Sequence, residues 1–534
     1  MAEAPPTPRA HPLRRLLRSL PGLRRGLRLA LPYLQPLLRR IEGPAYPRWF
    51  ARWQAGGPAE DAAILAALGG PVPPMRVILP PGPSPARESL HAQVGAPWTE
   101  AEGAEGFVLR LAPGERLVRH ALAEFALAAR ATPGPLILYA DEDSPDHGPW
   151  IKPGFDPDLL AQQPAFGHAV AYDTGLLARH GLGGLTGHAL MQAAATAALA
   201  ERGPGAIHHI PAILLHRARA PHPPWRVPPG APPARLRPPA PESWPLVSVI
   251  VPTRDATALV QACIEGLLTR TDYPALEVLV CDNDSTDPAL LRLFEAWGRD
   301  GRLRVLPCPG PFNFAAINNA AARTAQGEVL VFLNNDTEIL AADWLREMVA
   351  HALRPEIGAV GAKLLFPNGR VQHAGIVLGL GGVAGYDMAH LRGEADGPQD
   401  LLRLVRRVSA VTAAALAVRR ADFLAVGGFD AEGLRVAYND VDLCLKLRAA
   451  GLHNLVTPHA VLLHKESATR GDDRSPEHAA RFTAEQALMH DRWGAALAAD
   501  PCYSPLFALG PVWRQLADPP RRLPPWRRLT PPGG

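Results

Sequence analysis

The fold is decided by the stretch Gly327-Glu-Val-Leu-Val-Phe-Leu-Asn334-Asn335-Asp336-Thr337, an apolar run that ends in a carboxylate. Consecutive Val, Leu and Phe residues are typical of a strand that is buried on both faces of a sheet. Asn-Asn-Asp closes the run, so the sequence places oxygen ligands at the carboxyl end of the strand. Ligands of open α/β sheets bind at that edge, and carboxylate oxygens there suit a divalent cation that bridges to phosphates.

Strand and helix patterns alternate along the chain before this stretch. Short apolar runs alternate with segments of helical periodicity, which predicts an α/β fold with a mostly parallel sheet covered by helices on both faces. The predicted strands cover residues 246–252, 276–282, 303–306 and 328–333, and the predicted helices cover residues 257–270, 288–297 and 313–326.

A second acidic cluster, Asn439-Asp440-Val441-Asp442, lies on a helical pattern further along the chain. Asp440 precedes the first full helical turn, so it can project into a cleft and act as a general base toward an acceptor hydroxyl. Asp442 would stabilise the start of the helix through the helix dipole. The alternative is a pair of ordinary acidic residues at a helix N-terminus. Two acidic sites on one α/β domain favour metal-assisted transfer from a nucleotide.

Polar residues also follow the first two predicted strands, where a nucleotide is expected to bind. The carboxylate of Asp282 closes the second strand and can accept a hydrogen bond from a base. Each residue alone could simply shape a turn, but their joint position after consecutive strands favours a ligand site. The donor-binding candidates at these strand ends are Pro252, Thr253, Arg254, Asp282, Asp284 and Ser285.

Histidines supply further candidates. His464 ends an apolar strand, and a neutral imidazole there could complete the shell of a cation. The alternative is a structural histidine, because His216 stands at the corresponding place in an internal repeat that has lost its other motifs. His373 is a candidate for the acceptor side. The acidic run Asp141-Glu142-Asp143 has no partner carboxylate or phosphate-binding loop, and we interpret it as structural.

The internal repeat relates residues 71–220 to the segment that begins at residue 246. Met75-Arg-Val-Ile-Leu-Pro80 matches Val247-Ser-Val-Ile-Val-Pro252, and Gly106-Phe-Val-Leu-Arg-Leu111 matches Glu328-Val-Leu-Val-Phe-Leu333. Ala112-Pro113-Gly114 replaces the Asn-Asn-Asp motif in the first copy. We therefore expect a degenerate duplicate domain without chemistry of its own.

Composition divides the chain into five regions. With 534 residues, 47% of them hydrophobic, the chain is long enough for two or three domains with buried cores. Dense proline interrupts strands and helices, which marks a stiff linker and a tail that we expect to be poorly ordered from residue 505 onward. The expected regions are a basic helical segment (1–70), the duplicate (71–220), the linker (221–245), the main α/β domain (246–500) and the tail (501–534).

The cellular location is inferred from charge and cysteines. Arginines interrupt every apolar stretch of the first forty residues, so we expect neither a signal peptide nor a membrane span. Five scattered cysteines fit reduced thiols in the cytoplasm. The basic, apolar N-terminal segment leads us to expect peripheral binding to an anionic membrane surface, on the inner face of the plasma membrane; the alternative is a helical arm packed on the duplicate.

Taken together, residues 246–471 resemble a family 2 inverting glycosyltransferase with the GT-A fold, in the branch that includes bacterial rhamnosyltransferases and O-antigen enzymes. Residues 136–217 resemble a second such domain found in some members. The matched segments are Val-Ser-Val-Ile-Val-Pro-Thr, Val-Cys-Asp282-Asn-Asp284-Ser, Phe312-Asn-Phe-Ala-Ala-Ile-Asn318-Asn319-Ala, Phe-Leu-Asn-Asn-Asp336-Thr, Gly-Gly-Phe-Asp, Asn439-Asp440-Val-Asp442-Leu-Cys-Leu-Lys-Leu-Arg448 and His464-Lys-Glu-Ser.

The resemblance implies a hexosyltransferase that moves a sugar from a nucleotide-diphosphate donor to a hydroxyl of a glycan or lipid-linked acceptor, with inversion, in cell-surface polysaccharide synthesis. It implies that Asp282 and Asp284 contact the nucleotide, that Asp336 binds Mg²⁺ or Mn²⁺, and that Asp440 deprotonates the acceptor. One departure concerns the metal motif, which commonly begins with Asp, whereas Asn334 stands here. Fewer charges weaken cation binding.

The remaining assignments complete the predicted site. Asn318 and Asn335 join the donor-binding residues, Asp442, His373 and Thr412 are assigned to the acceptor side, and His464 joins Asp336 at the metal. We expect no nucleic-acid partner. Two other functions stay open: a sugar nucleotidyltransferase, although Pro252-Thr-Arg-Asp supplies no Gly-rich phosphate loop, and a non-catalytic scaffold that binds nucleotide sugars, which would leave the intact acidic residues unexplained.

Overall fold

The computed structural model of the protein describes residues 45–70, 72–103, 105–131, 134–226, 235–465 and 478–528. The chain divides into two units, Met1–Gly43 and Pro44–Gly534, and every described residue belongs to the second unit. The basic segment within residues 1–40, on which the membrane prediction rests, therefore lies outside the described residues. None of the described helices is both long enough and apolar enough to cross a membrane.

The first half of the described chain, between residues 45 and 226, builds an eight-stranded sheet. Its strands are β1 (Met75–Ile78), β2 (Trp98–Thr99), β3 (Phe107–Arg110), β4 (Arg116–Leu117), β5 (Ile137–Ser144), β6 (Gly148–Trp150), β7 (Val170–Asp173) and β8 (Ile207–His216). Its helices are α1 (Tyr46–Trp53), α2 (Asp61–Leu68), α3 (Pro85–His91), α4 (Ala121–Ala128), α5 (Pro157–Gln162), α6 (Thr174–Arg179) and α7 (Gly187–Arg202).

The second half, between residues 235 and 528, builds a ten-stranded sheet and a small hairpin of β16 and β17. Its strands are β9 (Val247–Thr253), β10 (Leu276–Asp282), β11 (Leu303–Pro307), β12 (Val329–Leu333), β13 (Thr337–Ile339), β14 (Ile357–Leu365), β15 (Val371–His373), β16 (Ile376–Leu378), β17 (Ala384–Tyr386), β18 (Arg406–Val408), β19 (Ala415–Arg419) and β20 (His453–His464). Its helices are α8 (Thr257–Glu265), α9 (Pro288–Trp297), α10 (Phe314–Thr324), α11 (Trp344–Ala352), α12 (Arg420–Ala425), α13 (Asn439–Ala449) and α14 (Ala479–Ala498).

The larger sheet is buried on both faces, as its apolar strands predict. Successive side chains of a strand point to opposite faces. In β9, Val249 and Val251 therefore pack into one hydrophobic cluster, whereas Ile250 packs into another on the opposite face. All three side chains are fully buried. Helices on both faces supply the covering layers, so the prediction of an α/β fold is confirmed.

Strand order fixes where the polar strand ends meet. The larger sheet runs β11-β10-β9-β12-β19-β14-β20-β13, and its first four strands are parallel. Antiparallel pairing begins at β12 and β19. The carboxyl ends of β9, β10 and β12 consequently lie at one edge of the sheet, which brings together Thr253, Asp282 and the segment that begins at Asn334.

The smaller sheet repeats this topology. Its order β2-β1-β3-β7-β5-β8-β4 follows the same sequence of parallel and antiparallel pairings as β10-β9-β12-β19-β14-β20-β13. Arg116 pairs with His216 in the first half at the place where Thr337 pairs with His464 in the second. The residues before those pairs, Glu115 and Asp336, are therefore structural equivalents, which corrects the sequence-based match of Gly114 to Asp336 by one residue. This shared topology supports the internal repeat.

The C-terminal segment contradicts the expectation of a poorly ordered tail. Residues 501–528 pack against both halves, and the side chains of Trp513 and Trp526 are buried. The Trp526 indole donates a hydrogen bond to the Glu60 carboxylate at 2.7 Å. The Arg522 guanidinium meets Glu124 at 2.6 Å. Proline and arginine misled the sequence-based expectation because their partners lie hundreds of residues earlier in the chain.

A buried network of charges occupies the first half near the strand ends that correspond to the donor edge. The Glu142 carboxylate lies 3.1 Å from the Lys152 ammonium and 3.0 Å from the Arg217 guanidinium, and it accepts the backbone N–H groups of His168 and Ala169. Burial would raise the pKa of Glu142, but the charges of Lys152 and Arg217 lower it to about 2. This network is what the interpretation of Glu142 as a structural residue predicts.

We predict that Lys152→Met destabilises the protein, because it leaves the buried Glu142 carboxylate with one cation fewer. Removing one partner of a buried pair costs about 3–5 kcal/mol, and Arg217 keeps the loss near the lower figure. Guanidinium unfolding measures it. The matched control is Arg179→Met, whose pair with Glu201 is half-exposed and should contribute less than ~1 kcal/mol. Equal effects of the two variants would contradict the prediction.

Candidate active site at the carboxyl edge of the larger sheet

Two adjacent strand ends are joined by a side-chain hydrogen bond. The Asn335 amide donates to the Thr253 hydroxyl at 2.9 Å, and both side chains are buried. The bond ties the end of β12 to the end of β9. Both residues were predicted to bind the donor. They instead connect the two strand ends, and little of either side chain is accessible to a ligand.

The loop after β10 is built to expose carboxylate oxygens. One oxygen of Asp282 accepts from the backbone N–H of Ser285 at 3.1 Å, and Asp284 accepts from Gly310 at 2.8 Å. The Ser285 hydroxyl accepts from the backbone of Asp255. Asp284 and Asp255 both have positive φ, at 59° and 50°, a strained backbone that clusters at ligand sites. Asp282, Asp284 and Ser285 thus lie together, as predicted.

The other donor-side candidates differ in their access to a ligand. Arg254 is exposed at the edge, where its guanidinium could meet a phosphate. Pro252 is buried inside β9. Asn318 is fully buried in α10, and its amide donates to the backbone of Phe314. The structure therefore does not bring Pro252 or Asn318 to the surface of the edge, because the apolar face of α10 carries Asn318 into the core.

Asp336 and His464 meet at the end of the sheet, as expected for the predicted metal pair. The His464 Nε2 atom lies 3.0 Å from an oxygen of Asp336 and 3.1 Å from the Asn334 amide nitrogen. The other ring nitrogen, Nδ1, lies 2.7 Å from the side-chain oxygen of Gln372. An amide oxygen can only accept and an amide nitrogen can only donate, so these two partners suit the neutral ring with its proton on Nδ1 and its lone pair on Nε2.

This arrangement fits a cation. The Asp336 oxygen that faces Nε2 is buried without a hydrogen-bond donor, so two electron-rich atoms face each other across 3.0 Å. Oxygen and imidazole nitrogen together suit Mn²⁺ or a similar divalent ion, and Gln372 fixes the tautomer that a metal needs. Among the described residues, no group of three or more His, Cys, Asp or Glu side chains could hold a metal, so a bound diphosphate would have to supply further oxygens.

Asp440 lies at the start of α13, directly after Tyr438 and Asn439, with Tyr438 in a left-handed conformation. One carboxylate oxygen accepts from the backbone N–H of Ala413 at 3.1 Å and the other from that of Val441 at 2.9 Å. Burial raises the pKa of Asp440, although these two N–H groups and the Thr412 hydroxyl lower it in part. A carboxylate with a raised pKa is a better base than an ordinary one.

The acceptor-side candidates are largely withdrawn from solvent. Asp442 is fully buried and binds Arg492 at 2.7 Å and Lys446 at 2.8 Å, so it faces away from the edge. His373 is also fully buried, and burial lowers its pKa to about 4. The assignment of Asp442 and His373 to an accessible acceptor surface is therefore corrected. Thr412 lies beside Asp440 and is the acceptor-side candidate that remains next to the base.

One segment beside the predicted site escaped the sequence-based prediction except for Thr412. Residues 409–414 connect β18 to β19, and their backbone contacts both acidic sites: Ala413 donates to Asp440, and the Ala414 carbonyl accepts from the backbone N–H of Asn334 at 3.1 Å. Apart from Ser409 and Thr412 these residues are small and apolar, and their contacts with the acidic sites come largely from backbone groups that no side-chain motif reports. Gln372, which orients His464, was missed for a similar reason, since a single Gln carries no signature.

Comparisons with known proteins point to one family. The model of glycosyl transferase family 2 matches residues 248–375. The O-antigen biosynthesis protein RfbC of Myxococcus xanthus is 39% identical over 405 residues, which cover 70% of this chain and 32% of that protein. An uncharacterised protein of Sinorhizobium fredii, y4gI, is 49% identical over 269 residues, or 50% of this chain and 30% of its own length. The second half of the chain carries a glycosyltransferase family 2 domain.

This match confirms the resemblance to family 2 that the motifs indicated. The chain spans about a third of the length of these two relatives. Among solved structures, a mannosyltransferase from Pyrobaculum calidifontis in complex with GDP-Man and Mn²⁺ is similar, with 22% identity, a TM-score of 0.35, and coverage of 50% of this chain and 74% of that one.

We predict that two neighbouring carboxylates of α13 respond differently to amidation. Asp440→Asn removes the base and should lower turnover by about 10²–10⁴-fold, with stability unchanged within ~1 kcal/mol, since burial already disfavours that charge. Asp442→Asn weakens a buried ion pair and should lower the free energy of unfolding by about 2–3 kcal/mol, with turnover per folded molecule retained. Turnover assays and urea unfolding measure both. Retained turnover in Asp440→Asn would exclude it as the base.

Proposed function

We propose that the second half of the chain transfers a sugar from a nucleotide-diphosphate donor to a hydroxyl group of a glycan or lipid-linked acceptor, with inversion at the anomeric carbon. One observation carries the proposal. Residues 409–414 connect a carboxylate of raised pKa at the start of α13, through the Ala413 N–H, with Asn334 at the end of β12, through the Ala414 carbonyl. Asn334 in turn contacts His464 of the buried carboxylate–imidazole pair. Transfer needs such a pairing of a diphosphate site with a base.

In the proposed reaction, Asp440 binds the acceptor hydroxyl. The hydroxyl oxygen forms a bond to the anomeric carbon while the bond from that carbon to the diphosphate oxygen breaks. The electrons of the broken bond stay on the diphosphate, and the hydroxyl proton passes to the Asp440 carboxylate. Attack from the face opposite the leaving group inverts the anomeric configuration, through an oxocarbenium-like transition state as in other inverting sugar chemistry.

Donor binding is assigned to the loop after β10 and to the metal pair. The half-buried carboxylate of Asp282 and the exposed carboxylate of Asp284 suit the N–H and hydroxyl groups of a nucleoside, and Arg254 suits a phosphate. Asp336 and His464 would hold a divalent cation, Mg²⁺ or Mn²⁺. When bound, such an ion neutralises the charge that develops on a leaving diphosphate.

The names of relatives favour cell-surface polysaccharide synthesis as the context. RfbC is named for O-antigen biosynthesis, and a glucosyltransferase of Escherichia coli, 32% identical over 112 residues, is named for UDP-Glc and a diphosphoundecaprenol-linked acceptor. A lipid-linked acceptor would suit a cytoplasmic enzyme that contacts the inner face of the plasma membrane. Residues 1–40 are our candidate for that contact because they carry clustered arginines.

The first half is proposed to have no transfer chemistry. Glu115 stands where Asp336 stands in the second half, and it binds His168 at 2.6 Å rather than the histidine of the paired strand. His216, the equivalent of His464, binds Asp143 at 2.7 Å. Each group that corresponds to the metal pair therefore has a protein partner of its own, which leaves no facing pair of electron-rich atoms.

The function is tested by incubating the full chain and Mn²⁺ with UDP-glucose, UDP-N-acetylglucosamine, GDP-mannose and dTDP-rhamnose in turn. We expect release of nucleoside diphosphate from one of them, faster with a polyprenyl-diphosphate glycan as acceptor, and a product of inverted anomeric configuration by proton NMR. A nucleotidyltransferase would instead produce pyrophosphate from nucleoside triphosphate and sugar phosphate. Binding without any turnover would indicate a scaffold, and either result would contradict the proposal.

We predict that His464→Ala weakens Mn²⁺-dependent binding of the nucleoside diphosphate by at least about 10-fold, since the cation loses one of two protein ligands. Calorimetric titration measures the affinity with Mn²⁺ and with excess chelator. His216→Ala is the matched control, because it removes the equivalent histidine of the first half, and it should leave the affinity unchanged. An affinity that survives both His464→Ala and chelator would exclude a metal at this pair.

A further inference from the structure

The strand that leads into the active-site segment is held from outside the second half. β18 pairs with β20 along one edge, with Arg407 opposite Leu455. The smaller sheet has no strand in the described residues that corresponds to β18. The other edge of β18 is covered by α5, a helix of the first half. β18, which precedes the segment that contacts Asp440, therefore takes the hydrogen-bond partners of its second edge from the first half of the chain.

On this second edge of β18, two side chains take the place of a neighbouring strand: Gln162 at the end of α5 and Asp156 directly before it. The Gln162 amide donates to the Val405 carbonyl at 2.7 Å, and its oxygen accepts from the Val405 N–H at 3.2 Å. The Asp156 carboxylate accepts from the Arg407 N–H at 2.7 Å. Three backbone groups on this edge are thus satisfied by two side chains that are themselves buried. A buried backbone group left without a partner is costly, so these bonds fix the strand firmly.

Charge and apolar packing support the same contact. Asp158 binds the Arg407 side chain at 3.2 Å and Arg354 at 2.7 Å. Beside this ion pair, Leu159 of the first half and Leu404 of the second belong to one hydrophobic cluster. A shared core resists relative sliding of the packed elements, so α5 and β18 move as one body.

β18 ends at Val408 and continues directly into residues 409–414. The segment is linked to the two acidic sites mainly by its backbone, through the Ala413 N–H to Asp440 and the Ala414 carbonyl to Asn334, and the Thr412 hydroxyl also bonds to Asp440. Backbone links transmit a displacement of the preceding strand, because a short, buried segment has no flexible side chain to absorb it. A displacement of about 1 Å at a reacting group can cost 10²-fold in rate.

We propose that Gln162 and Asp156 of the first half are positioning residues for the transfer reaction, which hold β18 so that residues 409–414 keep Asp440 and Asn334 in their reactive arrangement. The degenerate duplicate then contributes to catalysis without binding donor or acceptor. This inference rests on the proposed function, since it takes Asp440 as the base. It goes beyond that function by assigning a catalytic contribution to residues outside the second half.

The test compares two glutamines that make the same set of hydrogen bonds. Gln93 donates to the carbonyls of Ser89 and Val118 and accepts from the N–H of Leu122, all within the first half. Gln93→Leu is therefore the matched control for Gln162→Leu. Asp156→Asn is the second variant, because an Asn oxygen can still cap α5 while its amide no longer accepts from Arg407.

Two measurements on the full chain test whether Gln162 and Asp156 position residues 409–414. Hydrogen exchange of residues 405–414, measured without substrate, should accelerate about 10-fold or more in Gln162→Leu and Asp156→Asn and stay unchanged in Gln93→Leu. The kcat for Mn²⁺-dependent release of nucleoside diphosphate, from whichever of UDP-glucose, UDP-N-acetylglucosamine, GDP-mannose or dTDP-rhamnose the wild type uses, should fall about 10- to 100-fold. The donor KM should not change, because the donor-binding loop is untouched.

Unchanged exchange in residues 405–414 would overturn the inference, as would unchanged kcat, a change confined to donor KM, or an equal loss in Gln93→Leu. Failure of the proposed function would give a different set of results from failure of this inference. If the wild type turns over none of the four donors, that function fails, while the exchange comparison still decides whether α5 holds the segment. If the wild type is active and only the Gln162→Leu and Asp156→Asn effects are absent, this inference alone fails.

Discussion

Strand β12 is the constraint on which the site depends, because it pairs in parallel with β9 on one side and antiparallel with β19 on the other. The parallel neighbour places the nucleotide loops beside its carboxyl end. The antiparallel neighbour places residues 409–414 there from the opposite direction. The strand order reverses between β9 and β12, and an open α/β sheet leaves a crevice for a ligand at such a point. β12 ends at Leu333, and the next three residues, Asn334, Asn335 and Asp336, lie at the base of this crevice.

The duplication shows which parts of this arrangement belong to the fold and which belong to the chemistry. The two sheets share strand order and the paired strands that end in His216 and His464. They differ in whether neighbouring side chains neutralise the buried carboxylate. In the first half, Glu142 and its cationic partners neutralise each other inside the protein. In the second half, the Asp336 oxygen that faces His464 has no hydrogen-bond donor. Internal neutralisation favours stability, whereas an uncompensated pair favours binding of a cation.

Local pattern was enough to predict the strands and the residues at their ends. Asp282, Asp336 and His464 each close an apolar run, and strand ends can be read from sequence because burial has a period. Side-chain direction at a helix start could not be read this way. Asp440 and Asp442 are two residues apart, and only the partners of Asp442, Arg492 and Trp493 on α14, turn it inward. Those contacts join distant segments, as do the tail contacts with Glu60 and Glu124, so no local pattern reports them.

The central claim is that one donor site exists per chain and lies at the carboxyl edge of the larger sheet. Hydrogen exchange of the full chain with Mn²⁺, with and without saturating UDP, GDP or dTDP, tests it most directly. The account predicts that one of these nucleotides slows exchange in residues 282–285 and 334–337 and leaves residues 111–116 of the first half unchanged. Protection of residues 111–116, or protection of neither segment by any of the three nucleotides, would contradict it.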